Sequence, residues 1–365
     1  MSMMSTKKVY NMVLRCKSTI SAWRLHEYNG PTPSLKLDKI PFPRMNSPNE
    51  VIVKVHATSI NPLDVMMVKG YGKKVIGTLR SLGENHNNAP FTLGRDFSGT
   101  VFARGGNLLN KYKVGDEVWG ATFPSLEGCH AEYITVHKDM MAKKPKGCSH
   151  VEAASIPYAA LTAWSALSLT ALTQKGWNTL VIGAAGGVGS LAAQILKSWD
   201  CDVTAVCSTD ALPLVTGLGV DRVIDYKDND FMDKLSKLKK FDVILDCTDS
   251  QDNYKSYMNL LNKSPHSNYV TLSSPVLSST DSQGFVSGIA SSVGQLICKN
   301  TTPGSYRWGY FTPNQKALKS LSDLVENGKL VALVNETFGF SDLIIGHGKL
   351  HEGHARGKIV IDLEK

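Results

Sequence analysis

A glycine-rich turn between an apolar strand and an amphipathic helix is the stretch of this sequence best suited to chemistry. Residues 178–197 read NTLVIGAAGGVGSLAAQILK, and their turn matches the pattern G-x-G-x-x-G with alanine in the first glycine position. Gly186 lets the backbone approach a pyrophosphate, and Gly189 lets the helix pack close to the strand. The free N–H groups and the dipole of the helix then favour phosphate. We predict a dinucleotide site, the alternative being a glycine turn without a ligand.

The end of the next strand indicates which dinucleotide is bound. An NAD-dependent site places Asp or Glu there, where the carboxylate bonds the ribose hydroxyls. Residues 203–207 read VTAVC and are followed by Ser208, whose hydroxyl can donate to a 2′-phosphate that a carboxylate would repel. Asp210 is the exception, because in a longer strand it would stand at the ribose and favour NADH. We predict NADPH, with NADH as the alternative.

Catalytic side chains give a weaker signal, because a nicotinamide supplies the hydride while the protein orients it and excludes water. Polar residues follow the predicted strand 50–59, namely Asn61, Asp64 and Tyr71. Asn61 is a candidate hydrogen-bond donor to the acceptor, or a residue that braces the loop before Pro62. Tyr71 is a candidate proton donor, although its ordinary pKa of about 10 must be lowered or a relay supplied.

Metal binding is not predicted. Seven cysteines are scattered without a C-x-x-C pair, so neither a zinc knuckle nor a disulfide framework is indicated, and a reducing compartment fits. His347, His351 and His354 form one metal-like cluster, and the first two could share a helix face. A solvated helix end is the alternative for this cluster.

The surrounding elements predict an α/β protein of two domains. The chain has 365 residues, more than one domain's usual share. Strands alternate with helices between residues 177 and 272, which predicts a parallel sheet of the doubly wound Rossmann type. The first third is predicted to be all β, with an edge strand at 22–28 and a polar loop from Tyr71 to Pro90. Further predicted elements are a helix at 152–167 interrupted by Pro157, a helix at 315–327, and strands at 330–338 and 358–363.

The net charge of +8 arises largely in the first residues. Lys and Arg precede the first acid, Glu27, and the acid-free start lacks an apolar h-region, which is typical of a mitochondrial transit peptide and not of a secretory one. Cleavage is predicted near residues 15–19, and a frayed terminus is the alternative. No run approaches the ~18 apolar residues of a membrane span, and no nucleic-acid motif accompanies the basic residues.

Several motifs together resemble the medium-chain dehydrogenase/reductase superfamily, in its quinone-oxidoreductase branch. They are INPLD at 60–64, TLGRDFSG at 92–99, VGDEVWG at 114–120, AASIPYAALTAW at 153–164, GAAGGVG at 183–189, VIDY at 223–226 and HARGK at 354–358. Within that branch the chain is similar to the mitochondrial reticulon-interacting subfamily. The residues that carry this similarity are NEVIVKVHA at 49–57, YRW at 306–308 and GHARGK at 353–358.

This resemblance implies an architecture and a role. A transit peptide at 1–20 would precede a GroES-like β-rich catalytic domain at 21–150, a Rossmann domain for NADPH at 151–312 and a return to the catalytic domain at 313–365. The implied reaction is hydride transfer to a quinone or related enone in the mitochondrial matrix, in support of coenzyme Q biosynthesis and the respiratory chain. Implied partners are a small quinone-like substrate and membrane or respiratory-chain proteins, with the chain a monomer or homodimer.

The resemblance also implies site residues. Those expected at the cofactor, several through backbone groups, are Ala185, Gly186, Gly187, Val188, Gly189, Ser208, Tyr226, Leu272, Phe311, His354, Ala355 and Arg356. Zinc-dependent relatives place cysteine where this chain has Asn61 and Gly-His-Glu where it has Gly94-Arg95-Asp96, so zinc independence is implied. We interpret Arg95 and Asp96 as a structural ion pair.

Two questions stay open on the sequence alone. The aromatic–basic segment 306–310 suits a flat quinone ring, with ordinary core packing as the alternative. A 2-enoyl thioester reductase is a second enzymatic hypothesis, and an NADPH-binding scaffold without turnover is a third.

Overall fold

A computed structural model of the chain describes residues 18–28, 34–82, 89–248, 253–299, 305–353 and 355–365. Residues 1–17 of the predicted transit peptide lie outside this range. Thr19 and Ile20 already belong to the first strand, in which Ile20 is buried.

Over the described residues the chain forms sixteen strands. They are β1 (Thr19–Leu25), β2 (Leu35–Pro41), β3 (Glu50–Ile60), β4 (Phe91–Thr92), β5 (Asp96–Arg104), β6 (Glu117–Ala121), β7 (Tyr133–His137), β8 (Met141–Lys143), β9 (Asn178–Ile182), β10 (Asp202–Cys207), β11 (Arg222–Asp225), β12 (Val243–Asp246), β13 (Asn268–Thr271), β14 (Ser305–Trp308), β15 (Val334–Gly339) and β16 (Lys358–Asp362).

The α-helices in the same part of the chain, apart from short 3₁₀ and π turns, number twelve. They are α1 (Pro62–Val68), α2 (Lys73–Leu82), α3 (His150–Ala154), α4 (Pro157–Ser165), α5 (Gly187–Ser198), α6 (Leu212–Thr216), α7 (Phe231–Ser236), α8 (Tyr254–Met258), α9 (Pro275–Gln283), α10 (Phe285–Lys299), α11 (Gln315–Glu326) and α12 (Leu343–His351).

The middle of the chain builds a six-stranded parallel sheet in the order β11-β10-β9-β12-β13-β14. This is the strand order of doubly wound dinucleotide-binding folds, whose ligands lie at the carboxyl ends of the strands where the order reverses. All five residues of β9 are buried, as expected for a central strand that helices cover on both faces. The predicted α/β class and parallel sheet are confirmed.

Strands from both ends of the chain share a second sheet. Its order is β15-β16-β3-β5-β6-β8, with β7 also paired to β3. The C-terminal strand β16 runs antiparallel to β3 and parallel to β15. The six-stranded sheet is therefore inserted, in sequence, into a unit that the tail completes.

Two predictions for the first third are wrong. The segment 71–90, expected to be a polar loop, contains α2, because Ile76 and Arg80 recur at helical spacing and are buried. The Arg80 guanidinium lies 4.1 Å from the Phe91 ring centroid and 2.9 Å from Glu127. The predicted edge strand is β1, which lies between β2 and β4 in a three-stranded sheet.

A helical hairpin of α9 and α10 was not predicted. Gly288 lets the two helices approach closely, since a Cβ there would lie 2.4 Å from the Cα of Thr280. The apolar residues Val286, Val293 and Ile297 face outward instead of into the core. None of the helices in the described ranges has both the length and the apolar character needed to cross a bilayer.

Candidate functional site

The glycine turn lies between the end of β9 and the start of α5, at the carboxyl edge of the parallel sheet. Gly183 has φ +77°, which favours glycine. A Cβ on Gly189 would lie 2.2 Å from the carbonyl oxygen of Gly183, so this position allows the close contact of helix and strand expected there. Gly186 is the N-cap of α5, and a Cβ there would have no neighbour nearer than 3.4 Å. The space over Gly186 is therefore open for a ligand's phosphates.

The segment before β16 forms the other side of this turn. The Gly357 N–H donates to the Ala185 carbonyl at 3.0 Å, and Gly186 and Gly357 form an isolated parallel bridge. The Lys358 side chain passes Gly187, where a Cβ would lie 2.8 Å from Cδ of the lysine. The structure thus brings residues 185–187 and 355–358 together, although His354 lies outside the described residues.

The residues predicted for the adenosine end converge at the carboxyl ends of β10 and β11. Ser208 is buried and accepts a hydrogen bond from Arg356 Nη2 at 3.1 Å. Arg356 also donates from Nε and Nη2 to Asp210 Oδ2, at 3.0 and 2.5 Å. Hydrogen bonds from Ser208 and Arg356 lower the pKa of Asp210 to about 2. Tyr226 follows β11 and its side chain is exposed.

These residues fit NADPH. Open backbone at a helix N-terminus suits a pyrophosphate. A guanidinium and a hydroxyl suit a 2′-phosphate, because planar N–H donors bind phosphate oxygens in pairs. The carboxylate of Asp210, which pairs with Arg356, does not suit a phosphate.

A group of stacked aromatic rings, the aromatic wall, lies near these segments, because the Tyr158 N–H donates to Asp96, which pairs with Lys358. Phe311 stacks on Tyr158 with 4.4 Å between ring centroids and lies 6.3 Å from Phe123. Burial, followed by the nearby carboxylates, raises the pKa of Tyr158, and Tyr71 also contributes to this shift. Tyr71 is half-buried between α1 and α2 and lies near enough to Tyr158 to act on it electrostatically. Leu272 and Val188 pack at the margin of the large apolar cluster that includes Phe311.

Asn61 lies in a buried polar network. Its Nδ2 donates to Asp96 Oδ2 at 2.8 Å, and its Oδ1 accepts from Lys358 Nζ. Lys358 also donates to Asp96 at 3.2 Å, and Asp96 accepts from Ser59 Oγ and the Tyr158 N–H, both at 2.6 Å. The amide of Asn61 is thus held on both sides, which favours the bracing role over direct contact with an acceptor.

Lys358 is the site residue that sequence reasoning missed. It begins the strand KIVID, whose other residues read as an ordinary buried strand. Its side chain is 6% exposed, and a charged residue that is this buried requires a partner. The one sequence signal for a buried role of Lys358 is that a lysine begins an otherwise apolar strand.

The predicted Arg95–Asp96 ion pair is wrong. Arg95 lies 3.6 Å from Asp64 and donates to the carbonyl of Phe123, whereas Asp96 pairs with Lys358. Burial by itself would raise the pKa of Asp64, but the charge of Arg95, with smaller contributions from nearby groups, lowers it below its ordinary value. The two residues therefore have separate charged partners.

The charges around Asn61 do not suit a metal ion. Asn61 and Asp96 surround the ammonium of Lys358, and the guanidinium of Arg95 lies beside them, so the local charge does not fit a divalent cation. In the parts of the chain that the structure describes, no three His, Cys, Asp or Glu side chains are grouped to hold a metal.

The histidine cluster separates in the fold. His347 is buried and meets His130 edge to face, with 5.7 Å between ring centroids, whereas His351 is exposed and contacts Lys69.

Tyr306, from the aromatic–basic segment 306–310, is buried and stacks on Tyr269 with 5.4 Å between ring centroids. Tyr306 therefore follows the core-packing alternative, while Tyr310 is exposed.

We expect His347 to make the fold sensitive to acid. Burial, and then the neighbouring His130, lower the pKa of His347 to about 3. Because the unfolded chain takes up this proton near pH 6.5, the stabilisation is complete above pH 6.5 and is lost as the pH falls towards 3. Urea unfolding of His347→Gln should show a weaker loss of stability between pH 6.5 and 4 than the native chain. His351→Gln is the control, and an equal slope for all three proteins would contradict the assignment.

The family profiles and known relatives agree with this geometry. The profile described as "Alcohol dehydrogenase GroES-like domain" matches residues 47–146, and the one described as "Zinc-binding dehydrogenase" matches residues 218–361. The human protein named "NAD(P)H oxidoreductase RTN4IP1, mitochondrial" is 39% identical over 359 residues, covering 95% of this chain and 90% of its own. The Drosophila melanogaster protein of the same name is 36% identical over 362 residues, covering 94% and 86%.

A solved structure has the same architecture. The quinone oxidoreductase from Coxiella burnetii superposes with a TM-score of 0.76 at 28% sequence identity, covering 94% of this chain and 99% of its own. The similarity to these proteins therefore extends over both sheets.

Proposed function

The chain belongs to the medium-chain dehydrogenase/reductase superfamily, in the family of the NAD(P)H oxidoreductases named RTN4IP1, and on this premise we propose that it transfers a hydride from NADPH to a quinone or a related enone. The observation that carries the proposal is that one connected group of residues has phosphate-binding side chains at one end and stacked aromatic rings at the other. Ser208 and Arg356 form the first end and Phe311 on Tyr158 the second. Lys358 and Asp96 connect the two ends. A flat apolar acceptor suits such a wall.

Each group of residues at this site has a role in the proposed reaction. NADPH supplies the hydride when bound, and the protein orients it. The backbone at Gly186 and the N-terminus of α5 hold the pyrophosphate, while Arg356 and Ser208 hold the 2′-phosphate. The stacked rings exclude water and align the acceptor, and Tyr71 supplies the proton that the reduced acceptor takes up. Lys358 keeps the Asn61 amide in place beneath them.

We propose that the reaction does not use zinc. Asn61, Arg95 and Lys358 place an amide and two cations where zinc-dependent relatives hold their metal, and none of these three is a ligand of the kind that zinc selects. Activity should be unchanged after dialysis against a chelator, whereas loss of activity that added Zn²⁺ restores would refute this.

We also propose a mitochondrial site of action in support of coenzyme Q biosynthesis. The relatives named mitochondrial and the acid-free, basic start of the chain support the location. A cell line lacking the protein should contain less coenzyme Q, and expression of the native chain, but not of an inactive variant, should restore it. A normal coenzyme Q content in such cells would show that the protein is not needed for coenzyme Q biosynthesis.

Replacing Tyr71 by phenylalanine should lower kcat by about 10²- to 10³-fold, because general-acid catalysis contributes on this scale. The Kd for NADPH should not change, since Tyr71 lies at the acceptor end. Tyr310→Phe, an exposed tyrosine on the adjoining segment, is the matched control. Unchanged turnover of Tyr71→Phe would remove Tyr71 from the mechanism.

Steady-state assays of the purified full chain test the proposal as a whole. NADPH oxidation should require a quinone and should exceed the rate with a crotonyl thioester. A faster thioester reaction would favour the enoyl reductase hypothesis. Tight NADPH binding with no turnover of either acceptor would favour the scaffold.

A further inference from the structure

The corner at the carboxyl end of β10 contains a charge that a 2′-phosphate site does not need. Asp210 accepts from Nε and Nη2 of Arg356 through a single oxygen, Oδ2. These two nitrogens lie on one edge of the guanidinium, and such an edge binds a phosphate or carboxylate in a paired fashion. The carboxylate therefore occupies the edge of Arg356 that a phosphate would use.

Arg356 is held in place by more than this ion pair. Its backbone N–H donates to Asn335 Oδ1 at 3.0 Å, and its Nη2 reaches Ser208. The Arg356 side chain is 27% exposed, whereas that of Asp210 is 56% exposed. The acid is the more exposed partner, and apart from Arg356 it is held by a hydrogen bond from the Ser208 hydroxyl.

We propose that Asp210 is a specificity-determining residue that competes with the 2′-phosphate for Arg356. When NADPH binds, its phosphate displaces the carboxylate from Nε and Nη2, and Asp210 turns to solvent. When NADH binds, Asp210 stays beside the ribose and accepts a hydrogen bond from its 2′-hydroxyl, as an acid at this place does in NAD-dependent sites. The acid thereby weakens NADPH binding, strengthens NADH binding and lets the chain accept both. The inference rests on the proposed use of NADPH.

Other charged groups around the corner do not substitute for Asp210. Asp225, at the end of β11, is engaged by the Lys227 N–H at 2.9 Å and by the hydroxyl of Thr209. Its carboxylate is thus committed to the turn that follows the strand. Among the described residues, Asp210 is the acid that forms an ion pair with Arg356.

Cofactor titrations without an acceptor test the inference separately from the reaction. Intrinsic fluorescence of NADPH and of NADH gives a Kd for each with the full-length native chain and with Asp210→Asn. Removing the competing charge should lower the Kd for NADPH about fivefold and raise the Kd for NADH about fivefold. Changes of this size correspond to the energy of an exposed ion pair. Asp228→Asn, which removes an exposed acid paired with Lys234, is the control and should change neither Kd.

The coupling to Arg356 is tested by a second pair of variants. Arg356→Gln should weaken NADPH, and in that background Asp210→Asn should no longer tighten it. The affinity for 2′,5′-ADP, measured by competition, should change among these variants as the affinity for NADPH does. The affinity for ADP, which lacks the 2′-phosphate, should not change in this way. Unchanged or weaker NADPH binding by Asp210→Asn would overturn the inference. A native chain that binds no NADPH would instead overturn the proposed cofactor.

Discussion

Replacing Gly186 by alanine should weaken NADPH binding about 10- to 100-fold while the protein stays folded. The backbone at Gly186 has φ −79° and ψ 171°, values that any residue adopts, and the added Cβ has no neighbour nearer than 3.4 Å. The methyl group instead occupies the space through which a pyrophosphate reaches the backbone N–H groups. Hydrogen bonds to charged groups contribute about 1.5–3 kcal/mol each, which gives the expected range.

Gly189→Ala is the matched comparison three residues away. Its Cβ would lie 2.2 Å from the Gly183 carbonyl oxygen, a backbone atom that cannot move independently. We expect this variant to lose several kcal/mol of unfolding free energy, as overpacked cores do. Thermal unfolding and NADPH titration should therefore separate the two variants. Normal NADPH affinity in a folded Gly186→Ala protein would place the pyrophosphate elsewhere.

Replacing Lys358 by methionine should destabilise the protein by about 3 kcal/mol and also lower turnover. The substitution leaves the carboxylate of Asp96 buried without its cation, and breaking a buried ion pair on one side costs on this scale. It also frees the Asn61 amide, so kcat should fall more than the affinity for NADPH. Both effects are measured on the same preparation by urea unfolding and steady-state kinetics.

Two further variants separate charge from packing at this network. Lys143→Met removes a lysine that is 66% exposed near Asp116 and should change neither stability nor turnover. Adding Asp96→Asn to Lys358→Met removes the uncompensated charge and should recover part of the lost stability without restoring kcat. If the double variant is no more stable than Lys358→Met, the loss stems from packing and not from the ion pair.

The sequence predicts the elements whose signal is local. β9 and its turn read correctly because an apolar run, glycines and a helical period all lie within twenty residues. β3 reads correctly because apolar and polar residues alternate along it. The position of Ser208 at the end of a strand is also predicted correctly, because the sequence shows where β10 ends.

The errors arise where distant residues decide the structure. Lys358 meets Asp96 across 262 positions of sequence, and no local pattern pairs them. α2 was read as a loop because its buried face holds Arg80, a residue that sequence patterns place outside. The hairpin of α9 and α10 was not predicted from its apolar pattern, because small and hydroxyl-bearing residues face inward while the valines and isoleucines of α10 are exposed.

The place of β16 within its sheet constrains how this chain can be made. The strand lies between β15 and β3 but follows the whole parallel sheet in sequence. The parallel sheet is therefore synthesised before β16 and can fold first, as contiguous units do. Until β16 is made, the part of β3 that pairs with it has an open hydrogen-bonding edge. An open strand edge of this kind promotes aggregation. We expect the nascent chain to need a holding chaperone until β16 emerges.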